Sequence, residues 1–191
     1  MFGCVEAGVG EDRVQTIFLE NDSVRLVPLS LSDIGPVKTL HADAYGNRCS
    51  DGDCACQSDE AEKLVHTALK NQEDLGVSRW KVEAEDGKFL GWAGFAPLAE
   101  TSEICLSYCL SKAGGDNTDL PRRLCKALTE WFFKKTYFSH LVAAVRVDNR
   151  DMREVVLETG FYHRESKLIG GMQADVFQML SPSMQTYLMS A

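Results

Sequence analysis

The chain has 191 residues, 45% hydrophobic and 25% charged, which is the size and apolar content of one globular domain. Its formal charge of -8 argues against a nucleic-acid backbone as main partner, since phosphate binding needs a basic face, and favours a cationic or amine ligand. Its apolar runs, such as Leu141–Val145, fall far short of the ~20 residues of a membrane span, and Met1–Gly10 lacks the basic start and apolar stretch of a secretory signal, so a soluble, cytoplasmic protein is expected.

Residues 1–15, rich in Gly and Glu, are expected to be poorly ordered, with one domain over 16–191. Val24-Arg-Leu-Val-Pro-Leu29 alternates apolar and polar positions as a strand does. Ser32-Asp33 offers a cap for a helix ending about Tyr45. The polar loop that follows holds Cys49, Cys54 and Cys56, which with His41 or His66 would suit a soft metal. Their spacing matches no zinc motif closely, an ordinary cysteine-bearing loop is the alternative, and no metal site is assigned. The odd total of seven cysteines, with Cys105, Cys109 and Cys125 in core-like segments, points to reduced thiols.

Ser58-Asp-Glu-Ala-Glu-Lys63 starts a second helix with a cap and an acidic first turn. Trp80, Val82 and Ala84 then alternate with Lys81, Glu83 and Glu85, and Asp86-Gly87 turns the chain into a strand from Phe89 to Ala96. In the third strand, Glu103 to Leu110, the residues Ile104, Leu106, Tyr108 and Leu110 share one face, and Glu103, Cys105, Ser107 and Cys109 the other. Leu120–Phe138 has the period of the longest helix, with Pro121 in its first turn. Leu141–Val145 suits a strand buried on both faces. Asp148-Asn149 begins a short helix that Gly160 ends, and strands follow at Phe161–Ile169 and Ala174–Leu180.

Three segments together resemble the GNAT acetyltransferase superfamily, and within it the ribosomal-protein-alanine acetyltransferase branch. They are Glu20–Leu29 with Arg25-Leu26, then Phe89-Leu-Gly-Trp-Ala-Gly94, and Asn149-Arg-Asp-Met-Arg-Glu-Val-Val-Leu-Glu-Thr-Gly160-Phe161. The resemblance implies a mixed α/β (α+β) fold: a mainly antiparallel sheet of about six or seven strands, splayed at a parallel pair and flanked by helices. It implies transfer of an acetyl group from acetyl-CoA to a primary amine, on a small molecule or a protein N-terminus, by direct attack. The pantetheine arm would lie between the strands ending near Leu110 and Val147, pairing with backbone at Cys109 and Leu110, and Asn149 would contact it. The diphosphate would sit on amides of the loop and helix start from Gly115 to Arg123, which includes Asn117, Thr118, Arg122 and Arg123; free N–H groups and the helix dipole make such a site without any special side chain. A homodimer is compatible with this picture.

Two departures qualify the resemblance. Asp116 and Asp119 place negative charge beside the expected diphosphate and Pro121 removes one donor, with Arg122 and Arg123 as compensating cations. The positions where relatives carry a Tyr or a Ser as proton donor hold Val156 and Met152. Tyr108 is the first replacement, with Ser107 and Tyr162 as further candidates. For the base, Glu103 is the chosen carboxylate, on the argument that partial burial raises its pKa toward the working range. The alternative is a catalytically degenerate member that binds acyl-CoA or serves as an interaction module.

Overall fold

The computed structural model describes residues 17–18, 24–43, 58–98, 101–112 and 119–190. Stretches of period two become strands and those of period 3.6 become helices. In chain order they are β1 (Ile17–Phe18), β2 (Val24–Pro28), a 3-10 turn (Leu31–Asp33), α1 (Ile34–Ala42), α2 (Ser58–Asp74), β3 (Arg79–Ala84), β4 (Phe89–Pro97) and β5 (Ile104–Leu110). Then come α3 (Leu120–Lys135), β6 (His140–Arg146), α4 (Arg150–Thr159), β7 (Tyr162–Ile169), β8 (Met172–Leu180) and α5 (Pro182–Ser190). The strands form one sheet in the order β1-β2-β3-β4-β5-β6-β8-β7, antiparallel throughout except for β5 beside β6. The strand beyond the expected six or seven is β1, whose two residues are too few to show an alternation.

Burial follows the alternation. Trp80 and Val82 of β3, Leu106 and Leu110 of β5, and Leu141, Ala143 and Val145 of β6 face the main core, where α3 contributes Leu120, Leu124, Leu128, Trp131 and Phe132 and α4 contributes Met152, Val155 and Val156. Aromatic rings key α3 to the sheet: Trp131 lies edge-on to Trp80 at 5.2 Å and stacks with Phe95 at 5.9 Å between centroids. On the opposite face Trp92 and Cys109 pack against Val37 and Leu40 of α1 and Ala61, Val65 and Ala68 of α2. Val142 and Ala144 of β6 complete that face with Val176 and Cys105, so β6 is buried on both sides as its apolar run predicts.

Local signals fixed most of the ends. Gly87 takes the positive φ of the β3–β4 turn, and the Asp86 carboxylate accepts the Lys88 N–H at 3.0 Å. Gly160 closes α4 in the left-handed region at φ 104°. Three details differ from expectation. The first helix begins with a 3-10 turn capped by Ser30, whose N–H and hydroxyl both donate to Asp33, so Asp33 is the acceptor within the box instead of the cap. The same helix is described as far as Ala42, and Tyr45 lies outside the described residues. Helix α3 stops at Lys135 because Thr136 turns extended and its hydroxyl donates to the Phe132 carbonyl at 2.8 Å, leaving Tyr137 and Phe138 beyond the helix. Residues 1–15, expected to be poorly ordered, also lie outside the described residues. No described helix is long and apolar enough to cross a membrane.

Candidate functional site

Two neighbouring strands that run parallel part company. Strand β5 is zipped to β4 along its whole length, from Ile104 opposite Pro97 to Leu110 opposite Gly91, and β6 is zipped to β8 from His140 to Arg146. Between β5 and β6, however, the register holds one pair, Cys105 with Val142. Beyond it no register pair joins Ser107–Leu110 to Ala144–Arg146 among the described residues. Buried backbone N–H and C=O groups are costly to leave unmade, so such a wedge is a ready site for an extended ligand that completes the ladder. Cys109 and Leu110 both lie beyond that pair, and their side chains are buried on opposite faces of the sheet, leaving the backbone to face the gap.

Two helix starts stand near the open end. Asn149 caps α4: its side-chain oxygen accepts the Met152 N–H at 3.1 Å, and the residue is 8% exposed. Helix α3 begins at Leu120 with Pro121 in its first turn, and the Asp119 side chain makes no cap hydrogen bond. Arg123 pairs back onto Asp119 at 3.0 Å, while Arg122 reaches across to Glu158 of α4. Both arginines are thus at the expected helix start, each held by a carboxylate and each more than a third exposed. Gly115, Asn117 and Thr118, the rest of the expected diphosphate loop, lie outside the described residues.

At the closed end the expectation for Glu103 is corrected. Arg164 of β7 donates to both its carboxylate oxygens, at 2.7 and 3.0 Å, and His140 Nε2 lies 2.8 Å from one of them. The Arg164 hydrogen bonds outweigh burial and, with His140 and Thr101, bring the Glu103 pKa down to about 2. A carboxylate held so low is a weak proton acceptor, the reverse of the upward shift that burial alone would give. Glu103 clamps β5 to β6 and β7 just before the strands diverge.

Tyr108 lies three residues past the last pair, half-buried against the core shared with α3 and α4, where Met152 and Val156 are also enclosed. Ser107, almost fully buried, faces the other way, with Arg79 Nε at 3.5 Å. Tyr162 is on the outermost strand, separated from β6 by β8. The cysteine expectation is also corrected: Cys105 and Cys125 are free and buried, but Cys109 is disulfide-bonded. Burial pushes the Cys125 thiol up to about 12, which makes it inert. Cys49, Cys54 and Cys56 lie outside the described residues. Of the two histidines considered with them, His41 is buried and accepts the Trp92 indole N–H at Nε2 (3.1 Å), and His66 sits 3.7 Å from Glu62.

A second concavity lies on the α1/α2 face of the sheet. This cleft of about 590 Å³ is lined by Glu60, Leu64 and Asn71 of α2, His41 of α1, and Arg79 and Trp92 of the sheet, among others. Its α2 side is a stripe beside the buried Ala61–Val65–Ala68 ridge, and the helical period of that helix was the available signal. The Arg79 guanidinium lies over the Trp92 ring at 5.0 Å, a cation–π contact.

Residues 23–162 match the sequence profile of the Acetyltransferase (GNAT) domain. Among solved structures, an acetyltransferase from Agrobacterium tumefaciens is similar at TM-score 0.69 and 18% identity, over 92% of this chain and 96% of that one. The ribosomal L7/L12 alpha-N-protein acetyltransferase RimL, solved with coenzyme A, is similar at TM-score 0.68 and 14% identity, over 86% and 97%. The ribosomal-protein-S5-alanine acetyltransferase from Vibrio fischeri is similar at TM-score 0.68 and 12% identity, again over 86% and 97%. At these identities the likeness is one of fold. Comparison with curated protein sequences finds no match.

Proposed function

The chain belongs to the GNAT acetyltransferase family, and from that premise we propose that it transfers an acetyl group from acetyl-CoA to a primary amine by direct attack. The observation that carries the reading is the single register pair between β5 and β6, beyond which the two strands are not paired with each other and a thioester arm would extend the sheet. The arm pairs with backbone at Cys109 and Leu110. The diphosphate rests on the start of α3, with Gly115, Asn117 and Thr118 supplying the loop and Arg122 and Arg123 exchanging Glu158 and Asp119 for phosphate oxygens. Asn149 keeps its cap and contacts the arm. Tyr108, beyond the last β5–β6 register pair, is the proton donor proposed for the leaving thiolate. That a structural relative was solved with coenzyme A supports the same co-substrate here.

Calorimetric titration with acetyl-CoA tests this directly. Micromolar binding is expected, weakened at least ~5-fold by Asn149→Ala and further by the charge reversal Arg122→Glu, which turns a phosphate partner into a repelling carboxylate. Absence of binding to the wild-type chain removes the proposal. A second reading has its own observation: Met152 and Val156, at the two positions where the family resemblance implies a hydroxyl, are enclosed in the core. Tight acetyl-CoA binding without thiol release over a panel of amines would favour an acyl-CoA-binding module over an enzyme.

A further inference from the structure

Buried carboxylates in this fold are matched almost without exception. Glu103 has Arg164 and His140. Asp33 and Glu83 share Lys81, at 3.3 and 2.9 Å, and Glu83 also receives Arg25 Nε at 3.0 Å. Asp175 takes Ser166 and Arg153. Among the described residues one carboxylate oxygen is buried with no hydrogen-bond partner, Oε2 of Glu60. Glu60 lies in the first turn of α2 and lines the cleft on the α1/α2 face.

We propose that Glu60 is the anchor for the ammonium group of the acceptor, and that the acceptor is a monoamine with an apolar body. This rests on the acetyl-transfer reading only in naming the ligand as acceptor; the site itself is argued from the cleft. A desolvated carboxylate oxygen without a donor is costly, and a primary ammonium supplies both opposite charge and three N–H donors. The rest of the lining sets the body of the ligand. Leu64, Ala96, Pro97 and the Trp92 indole present apolar surface. Lys63 and Arg79 line the same cleft, and two cations beside the one carboxylate among its described lining residues disfavour a polyamine, whose second ammonium would meet repulsion. The His41 imidazole is turned to the sheet by the Trp92 N–H that its Nε2 accepts.

The test is calorimetric titration of the full chain, without CoA, so that the outcome is independent of acyl-CoA binding. The probes are 2-phenylethylamine, its neutral analogue 2-phenylethanol, and spermidine. The amine is expected to bind at least ~10-fold more tightly than the alcohol and than spermidine. Glu60→Gln is expected to remove that preference, and Glu60→Asp to retain part of it, since a charge-assisted hydrogen bond is worth about tenfold or more. Equal affinity for amine and alcohol in the wild-type chain, undetectable amine binding, tighter binding of spermidine, or an unchanged amine affinity in Glu60→Gln would each overturn the assignment. Failure of acetyl-CoA to bind, with the amine preference intact, would instead count against the acetyl-transfer reading alone.

Discussion

Glu103 holds its charge where water is partly excluded, and the physics of that position is a stability statement. Its pKa is lowered from the ordinary 4.5 to about 2, chiefly by Arg164. Because the folded value lies below the unfolded one, the stabilisation is complete above about pH 5 and is lost as pH falls toward 2. With the side chain 19% exposed, solvent screening trims the contribution to about 1–2 kcal/mol. Glu103→Gln is therefore expected to lower the unfolding free energy measured by urea denaturation at pH 7 by that amount and to flatten the loss of stability between pH 5 and 2. A mutant whose pH dependence matches wild type would show the clamp to be idle. The residue also shows what a sequence conceals. Burial could be inferred from strand position, but the sign of the shift depended on Arg164, 61 positions away, and pairing across a sheet is not visible before the strand order is known. Asn149 was legible because its partner, the Met152 N–H, is three residues along.

At the scale of elements, β4 is built on glycine. Gly94 has φ 146°, and a Cβ there would come within 2.3 Å of the Ser78 carbonyl oxygen and 2.8 Å of Arg79 Cα, all backbone that cannot give way. Gly91, opposite Leu110, has the same φ and would meet the Cys109 carbonyl at 2.1 Å, beside a bulge where Leu90 has no partner on β3. Gly94→Ala is accordingly expected to destabilise the chain by ~3 kcal/mol or more, read as a drop in the denaturation midpoint, whereas alanine at Gly35, where a Cβ meets nothing within 4 Å, is expected to be tolerated or mildly stabilising. A Gly94→Ala chain as stable as wild type would contradict the backbone contact. Strands and long helices announced themselves through period, and the Asp86-Gly87 turn through its residues. Helix α5 did not, because none of its residues is buried and it therefore has no apolar stripe. Its remaining signal was the Ser181-Pro182 start, where the Ser181 hydroxyl accepts the Met184 N–H at 3.3 Å.

Across the whole molecule, the sheet is two zipped blocks, β1 to β5 and β6-β8-β7, joined by one register pair, by the Glu103 clamp and by the helices laid over both. Neither block's outer pairing changes if the gap between them is filled, so ligand binding can add hydrogen bonds without undoing any. A splay of this kind is a missing interaction, and no residue type marks a missing interaction; only the likeness of Asn149–Phe161 and its companion segments to a family pattern anticipated it. If an acyl-CoA arm completes the ladder, the amides of Ser107–Leu110 and Ala144–Arg146 that face the gap should exchange with deuterium more slowly by at least ~10-fold in saturating acetyl-CoA, while those shared between β3 and β4 change little. The same binding stabilises the folded state by mass action, about 2.7 kcal/mol at a hundred times the Kd, which for a chain of this size raises the melting temperature by roughly 5–10 °C. Stabilisation without slower exchange along those two edges would place the ligand elsewhere, because heat stability reports that something bound, and only the protected amides report that the open strands are what it bound to.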